Sequence, residues 1–391
     1  MPGAPHGLAY DARVDSQTLK DDAKVSVTED GLTVTTLFNP LFIAFSDVVW
    51  FTHDSFSVTV TTGYDRFTFT RLGSLVDAFS LELGAAFNAK VGEALFIGGD
   101  PVFQGDGEFR YAEAGQQAAG QAAIRVHDDC VGLLPPDDRA RRVPFAFMNG
   151  LQAADFGLTL TLDGGDAYSF MRLGRDTDAF AACVKDRLHQ YRENAIAAVH
   201  SLDGSLSPAA LSAIATRMPQ GVAVPVGDLS SIAPSYVAAL EAEIAKSRAA
   251  DTYAFLKTIC TPSDICVGMK TGLGGEDKDN VLWFIAPSAT KPVAAVELAL
   301  HDEDAAATFV YTMTGDRADF VRRLNRAMDA VAFHREVISM PDDELNQAQN
   351  SSYAMAVRRT AALRFMRGNL LGRVIHTSPD SWTAGVKGYL T

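Results

Sequence analysis

Residues 69–79 read FTRLGSLVDAF and residues 170–180 read FMRLGRDTDAF, so Phe69, Arg71, Leu72, Gly73, Asp77, Ala78 and Phe79 return as Phe170, Arg172, Leu173, Gly174, Asp178, Ala179 and Phe180. A segment that recurs this closely marks a duplicated unit, which constrains the architecture more tightly than any local propensity. The match extends backwards. Val25-Ser26-Val27 with Thr28-Glu29-Asp30 aligns with Ile124-Arg125-Val126 and His127-Asp128-Asp129 at an offset of 99. Phe56, Val58, Thr59, Val60 and Thr61 align with Phe156, Leu158, Thr159, Leu160 and Thr161 at 100, and the Arg-Leu-Gly motif follows at 101. Each slip is a single residue in a turn-like or irregular stretch, as where Gly63-Tyr64-Asp65-Arg66 faces Asp163-Gly164-Gly165-Asp166-Ala167. Turns absorb insertions that strands do not.

Both copies carry one pattern. Phe56, Val58 and Val60 alternate with Ser57, Thr59 and Thr61, the period of a half-buried strand, and Phe67 and Phe69 continue it. After Gly73 the period changes, and Leu75, Phe79, Leu83 and Phe87 fall on one face of a helix. The expectation is an α+β chain of antiparallel sheets, each closed by a C-terminal helix. A fainter third copy is expected over residues 251–340, with strands at 281–285, 293–300 and 307–313. There Gly315 precedes Asp319 by the spacing that separates Gly73 from Asp77, and Phe320, Leu324, Met328 and Val331 follow at helical spacing.

Strands closed by one C-terminal helix and repeated in tandem resemble the pleckstrin-homology-like barrel, including its bacterial GRAM-type relatives. The stretch VPFAFMNGLQAADFGLTLTLDGGDAYSFMRLGRDTDAF, residues 143–180, is similar to uncharacterised actinobacterial proteins of this build. The resemblance implies tandem barrels at 24–95 and 121–200, a third at 251–340, and a role in binding phosphoinositides, peptides or proteins. Fold likeness alone does not assign function.

The rest of the chain is read as an N-terminal segment over 1–23, a linker over 96–120, a helical hairpin over 201–250 and a basic helical tail over 341–391. The linker reading rests on Gly, Ala and Gln, relieved by a stray strand at Glu108-Phe109-Arg110-Tyr111. Ser207-Pro208 opens the first insertion helix, and Tyr236, Leu240 and Ile244 mark the second. No long apolar run or leader pattern is visible, so a cytoplasmic protein is expected. Cys130, Cys183, Cys260 and Cys266 then read as reduced thiols, although Cys260 and Cys266 are near enough in sequence for a hairpin to pair them.

Charge supplies the clues to partners. A net charge of −14 argues against nucleic acid. From residue 348 onward, however, six basic residues (Arg358, Arg359, Arg364, Arg367, Arg373 and Lys387) face one acid, Asp380. A helix over 353–371 would interleave four of those arginines with Val357, Ala361, Phe365 and Met366, fit to lie on the acidic body or on an anionic membrane. A second basic cluster, Arg139, Arg141 and Arg142, is placed between the first two strands of the second copy. The family resemblance makes that loop a phosphoinositide site, although Asp137 and Asp138 beside it favour self-pairing.

Arg71, Gly73 and Asp77, with Arg172, Gly174 and Asp178, read as a structural motif in which each Asp caps a helix and each Arg reaches back to it. His127-Asp128-Asp129 and the His301 to Asp304 run read as hairpin turns, and Thr271 to Gly275 as a flexible Gly-rich connection, so no metal or cofactor is expected. The combined expectation is a non-enzymatic scaffold that binds a protein partner. A peripheral membrane protein is the alternative, and an enzyme with a non-local active site the third reading.

Overall fold

The eleven-residue repeat occupies the same place in two seven-stranded antiparallel sheets. The computed structural model describes residues 8–37, 40–154, 156–247, 249–271, 280–298 and 307–391. The first sheet comprises β1 (Ala9–Asp15), β2 (Lys20–Val27), β3 (Gly31–Thr35), β4 (Pro40–Ala44), β5 (Val48–His53), β6 (Val58–Thr62) and β7 (Arg66–Thr70), followed by helix α1 (Val76–Ala94). The second comprises β8 (Phe103–Glu113), β9 (Gln116–Val126), β10 (Cys130–Leu134), β11 (Arg141–Pro144), β12 (Met148–Ala154), β13 (Gly157–Leu162) and β14 (Ala167–Met171), followed by α2 (Thr177–Leu202). Neighbouring strands run β4-β3-β2-β1-β7-β6-β5 and β11-β10-β9-β8-β14-β13-β12, one order used twice. The copies share even a ladder irregularity, between Val48 and Trp50 and between Met148 and Gly150.

The apolar alternation explains the first core. Val58, Val60, Phe67 and Phe69 are fully buried, and so are Phe79, Phe87 and Val91 on the inward stripe of α1. Phe69 and Phe79 meet with ring centroids 5.7 Å apart, and their repeat partners Phe170 and Phe180 meet at 5.5 Å. Between the two aromatics of each pair lies Arg-Leu-Gly. Arg71 and Gly73 have φ of 63° and 60°, and Arg172 and Gly174 have 56° and 62°. Leu72 and Leu173, between two left-handed residues, are buried. The motif is therefore a hooked turn that plugs a leucine into the core and starts the helix, and this accounts for its return.

Several expectations need correction. The supposed linker over 96–120 is the longest hairpin of the second sheet, with β8 and β9 joined at Ala114-Gly115. Within the N-terminal segment over 1–23, residues 9–15 are likewise β1 and residues 20–23 the start of β2. Arg141 and Arg142 lie within β11 and Arg139 just before it, so the basic cluster joins the third and fourth strands of its sheet, not the first and second.

By packing, the chain divides into two units: Met1–Pro144, Met148–Val184 and Pro341–Ala361 form one, and Phe145–Phe147, Lys185–Met340 and Ala362–Thr391 the other. The second unit contains α3 (Pro208–Arg217), β15 (Val224–Pro225), α4 (Val226–Ile232), α5 (Pro234–Lys246), α6 (Ala250–Ile259), β16 (Cys266–Thr271), β17 (Asn280–Pro287), β18 (Val293–Leu298), β19 (Ala307–Thr312), α7 (Arg317–Ala330) and α8 (Glu336–Ser339). After α9 (Asp342–Leu345) and α10 (Ser351–Arg359), which pack in the first unit, it resumes with α11 (Ala361–Asn369), β20 (Leu370–Ile375) and α12 (Pro379–Leu390). Ser207 caps α3 by accepting from the Ala210 amide at 3.2 Å, as its sequence suggests.

The sheet here runs β15-β16-β17-β18-β19-β20, a sequential order that the expected third copy does not share with the other two. Nor is the tail one helix: it breaks at Thr360, whose backbone is extended, and Arg373 lies on β20 and Lys387 on α12. The 201–250 region holds three helices rather than a hairpin of two. Cys260 and Cys266 are free, buried thiols, and burial pushes their pKa up to about 11 and about 12. Among the described residues no helix is long and apolar enough to cross a membrane.

Candidate interaction site

Strand β5 ends the first sheet and therefore offers unpaired backbone groups on its outer side. The second repeat copy covers that edge. Phe51 N–H donates to the Pro136 carbonyl at 2.9 Å, and Asp138 N–H donates to the Val49 carbonyl at 3.0 Å. Trp50 and Asp137 form the bridge between these two bonds. One repeat thus reads the loop of the other through main-chain bonds, a form of strand addition.

The loop is held by its own charges. Arg139 donates to Asp137 through its amide at 2.8 Å, Nε at 2.9 Å and Nη2 at 2.5 Å, and its guanidinium lies over Phe109. Arg141 donates to Glu113 at 2.5 Å and stacks on Tyr111, while Tyr168 O–H also donates to Glu113 at 2.9 Å. Burial, reinforced by the Glu113 charge, pushes the Tyr168 phenol well above its ordinary value. Arg142 pairs with Asp129 at 2.7 Å. Each arginine proposed as a phosphoinositide ligand already has a carboxylate.

Helix α10 brings tail arginines to the same place. Met355 and Ala356 are buried on its inner face, Ser352 O–H donates to Glu93 at 2.9 Å, and Arg358 donates to the Ser46 carbonyl. Arg359 is 3% exposed and lies within the electrostatic reach of Arg141, Asp137 and Asp138. Arg364 and Arg367 do not join them. They sit on α11 in the other unit, where Arg367 donates to the carbonyls of Val337 within α8 and of Met340 at its end. Leu363 and Met366 of that helix are buried, so its apolar side is already occupied by protein.

The repeat motif also departs from expectation. Arg71 pairs with Asp22 at 3.2 Å and Arg172 with Glu108 at 2.9 Å. Among the described residues neither Asp77 nor Asp178 accepts a capping hydrogen bond; both occupy the first turn of their helices. The candidate ligand clusters divide similarly. The His127 ring donates from Nδ1 to the Gly98 carbonyl at 3.1 Å, and burial lowers its pKa. His301 to Asp304 and residues 272–275 lie outside the described residues. No group of metal-ligating side chains occurs among those described.

A polar cluster in the second unit was not visible in the sequence. Glu297 accepts from Thr308 Oγ1 and from His376 Nε2 at 3.0 Å, and Trp382 Nε1 donates to Thr308 Oγ1 at 2.7 Å. His376 also stacks on Trp382 at 5.0 Å. Both the threonine and the carboxylate approach the same imidazole nitrogen, so the ring cannot relay a proton from one to the other. The cluster ties β20 and α12 to the sheet. No protein-family model matches the chain, and no curated protein is detectably similar to it.

Proposed function

We propose that the chain is a non-enzymatic scaffold whose first two sheets are tandem pleckstrin-homology-like modules, and that it holds a protein partner along the edge of the second. The observation that carries this reading is the covered edge of β5. The repeat partners of Val49 and Phe51 on β12 are Asn149 and Leu151, in the same register after the same irregularity. Among the described residues no hydrogen bond is made by the Asn149 carbonyl or the Leu151 amide outside the sheet. Asn149, Gln152 and Ala153 are exposed. The second edge therefore presents the bonding pattern that the first satisfies within the chain, and an extended protein segment is the matching ligand.

The test is site-specific photo-crosslinking in cell extract, with the crosslinker at Gln152 on the open edge and, as control, at Thr52 on the covered one. An adduct at Gln152 that is absent at Thr52 and lost with Leu151→Pro supports edge docking. Equal adducts at both positions, or none at either, would overturn it.

A further inference from the structure

We infer that Arg359 is the centre of a binding site for a phosphate-class oxyanion. On α10, residues 352, 355, 356 and 359 share one helical stripe, and Met355 and Ala356 fix that stripe as the buried one. An aliphatic side chain would complete it. Instead the stripe ends in a guanidinium only 3% exposed. Its Nε and Nη2 are buried without a partner among the described residues. These two nitrogens form one edge of the planar group, the edge that takes two oxygens side by side.

The surroundings do not supply those oxygens. Asp137 is engaged by Arg139, Glu113 by Arg141 and Tyr168, and Arg358 is spent on the Ser46 carbonyl. Asp138 is exposed, with its amide on Val49. Burial, then repulsion from Arg358, lowers the Arg359 pKa to about 10, so the group is still a cation at neutral pH. Asp138 and Asp137 act on the cation only through space, so its Nε and Nη2 donors stay buried without an acceptor among the described residues, a costly arrangement for a fold to hold. Arg358 and Arg141 add positive field that Asp138 and Asp137 offset in part, and the side-by-side donor edge matches the paired oxygens of a tetrahedral oxyanion.

Thermal unfolding of the full chain, at ionic strength held constant with chloride, tests the assignment. The probes are inorganic phosphate and glycerol phosphate, which separate the free anion from a phosphate monoester; acetate is the control. Wild type should show a saturable rise in unfolding midpoint of about 5 °C at a hundredfold excess over Kd with at least one phosphate, and little response to acetate. Arg359→Met keeps the aliphatic stem and should abolish the rise, while unfolding at or above the wild-type temperature in phosphate-free buffer. If that variant does not fold, Arg359→Lys, which keeps the charge but not the fork, should need at least about tenfold more phosphate. No response in wild type, or an undiminished response in the variant that folds, would overturn the site.

Discussion

Phe170 lies 5.5 Å from Phe180, ring centroid to ring centroid and tilted by 60°, across the Arg-Leu-Gly turn that separates them in sequence. Both rings are fully buried, and Phe180 also meets Phe103 at 5.5 Å. Phe180→Ala should therefore remove about 3–5 kcal/mol of stability, with a cavity left between strand and helix. Urea unfolding followed by circular dichroism measures it. A loss below about 1 kcal/mol would mean that α2 does not close the second sheet.

The turn itself makes a sharper comparison. Gly174 has φ of 62° with nothing within 4 Å of where a Cβ would stand, so Gly174→Ala carries a backbone penalty alone, about 1–2 kcal/mol. Asp178 is exposed and makes no cap bond, so Asp178→Ala should cost only the helix-dipole share, about 0.5 kcal/mol. Side-by-side melts of the two variants check the ranking; the reverse order would restore the capping role.

How much of this was legible depended on which residues carry each element. Val58, Val60, Phe67 and Phe69 announce their strands because β-branched and aromatic residues alternate with polar ones. Gln116 to Gln121, the first half of β9, have none of those residues, and their composition points to a linker. The available signal was Ala114-Gly115, whose φ values of 48° and 80° make the two-residue turn that sets Glu113 opposite Gln116. The candidate site was less legible. Arg359 stands on a stripe with Met355 and Ala356, yet its charge suggests a basic face that lies on the acidic body or on a membrane. The role of Val49 and Phe51 depends on β5 being an edge, which is a property of strand order rather than of local sequence.

Asp65 gives the first sheet an acid-sensitive joint. Burial alone would raise its pKa. Donation from Thr18 Oγ1 at 2.7 Å and from the Gln17 and Arg66 amides at 3.1 and 2.7 Å outweighs that and holds the carboxyl at about 2. The folded pKa thus lies below the unfolded value of about 3.9, so the carboxylate's contribution is complete above about pH 4 and disappears as pH falls towards 2. With allowance for solvent screening it should amount to about 1 kcal/mol. Stability measured from about pH 5 down to about pH 2 should fall more steeply for wild type than for Asp65→Asn. Parallel curves would remove Asp65 from the account.

The buried cluster of the second unit yields a prediction that separates a polar clamp from simple packing. Thr308 has no exposed surface; its Oγ1 donates to Glu297 and accepts from the Trp382 indole at 2.7 Å. Thr308→Val keeps the shape but leaves the indole N–H unpartnered and the buried carboxylate one donor short, at a cost of about 2–3 kcal/mol. Thr308→Ser, which keeps the hydroxyl, should lose less than about half of that. Trp382→Phe removes the orphaned donor, so combining it with Thr308→Val should cost less than the sum of the two single changes. Urea denaturation of the four variants, including the double, completes the cycle. Strict additivity, or equal losses for valine and serine, would reduce Thr308 to a space-filling residue and leave Glu297 anchored by His376 and the Leu298 amide alone.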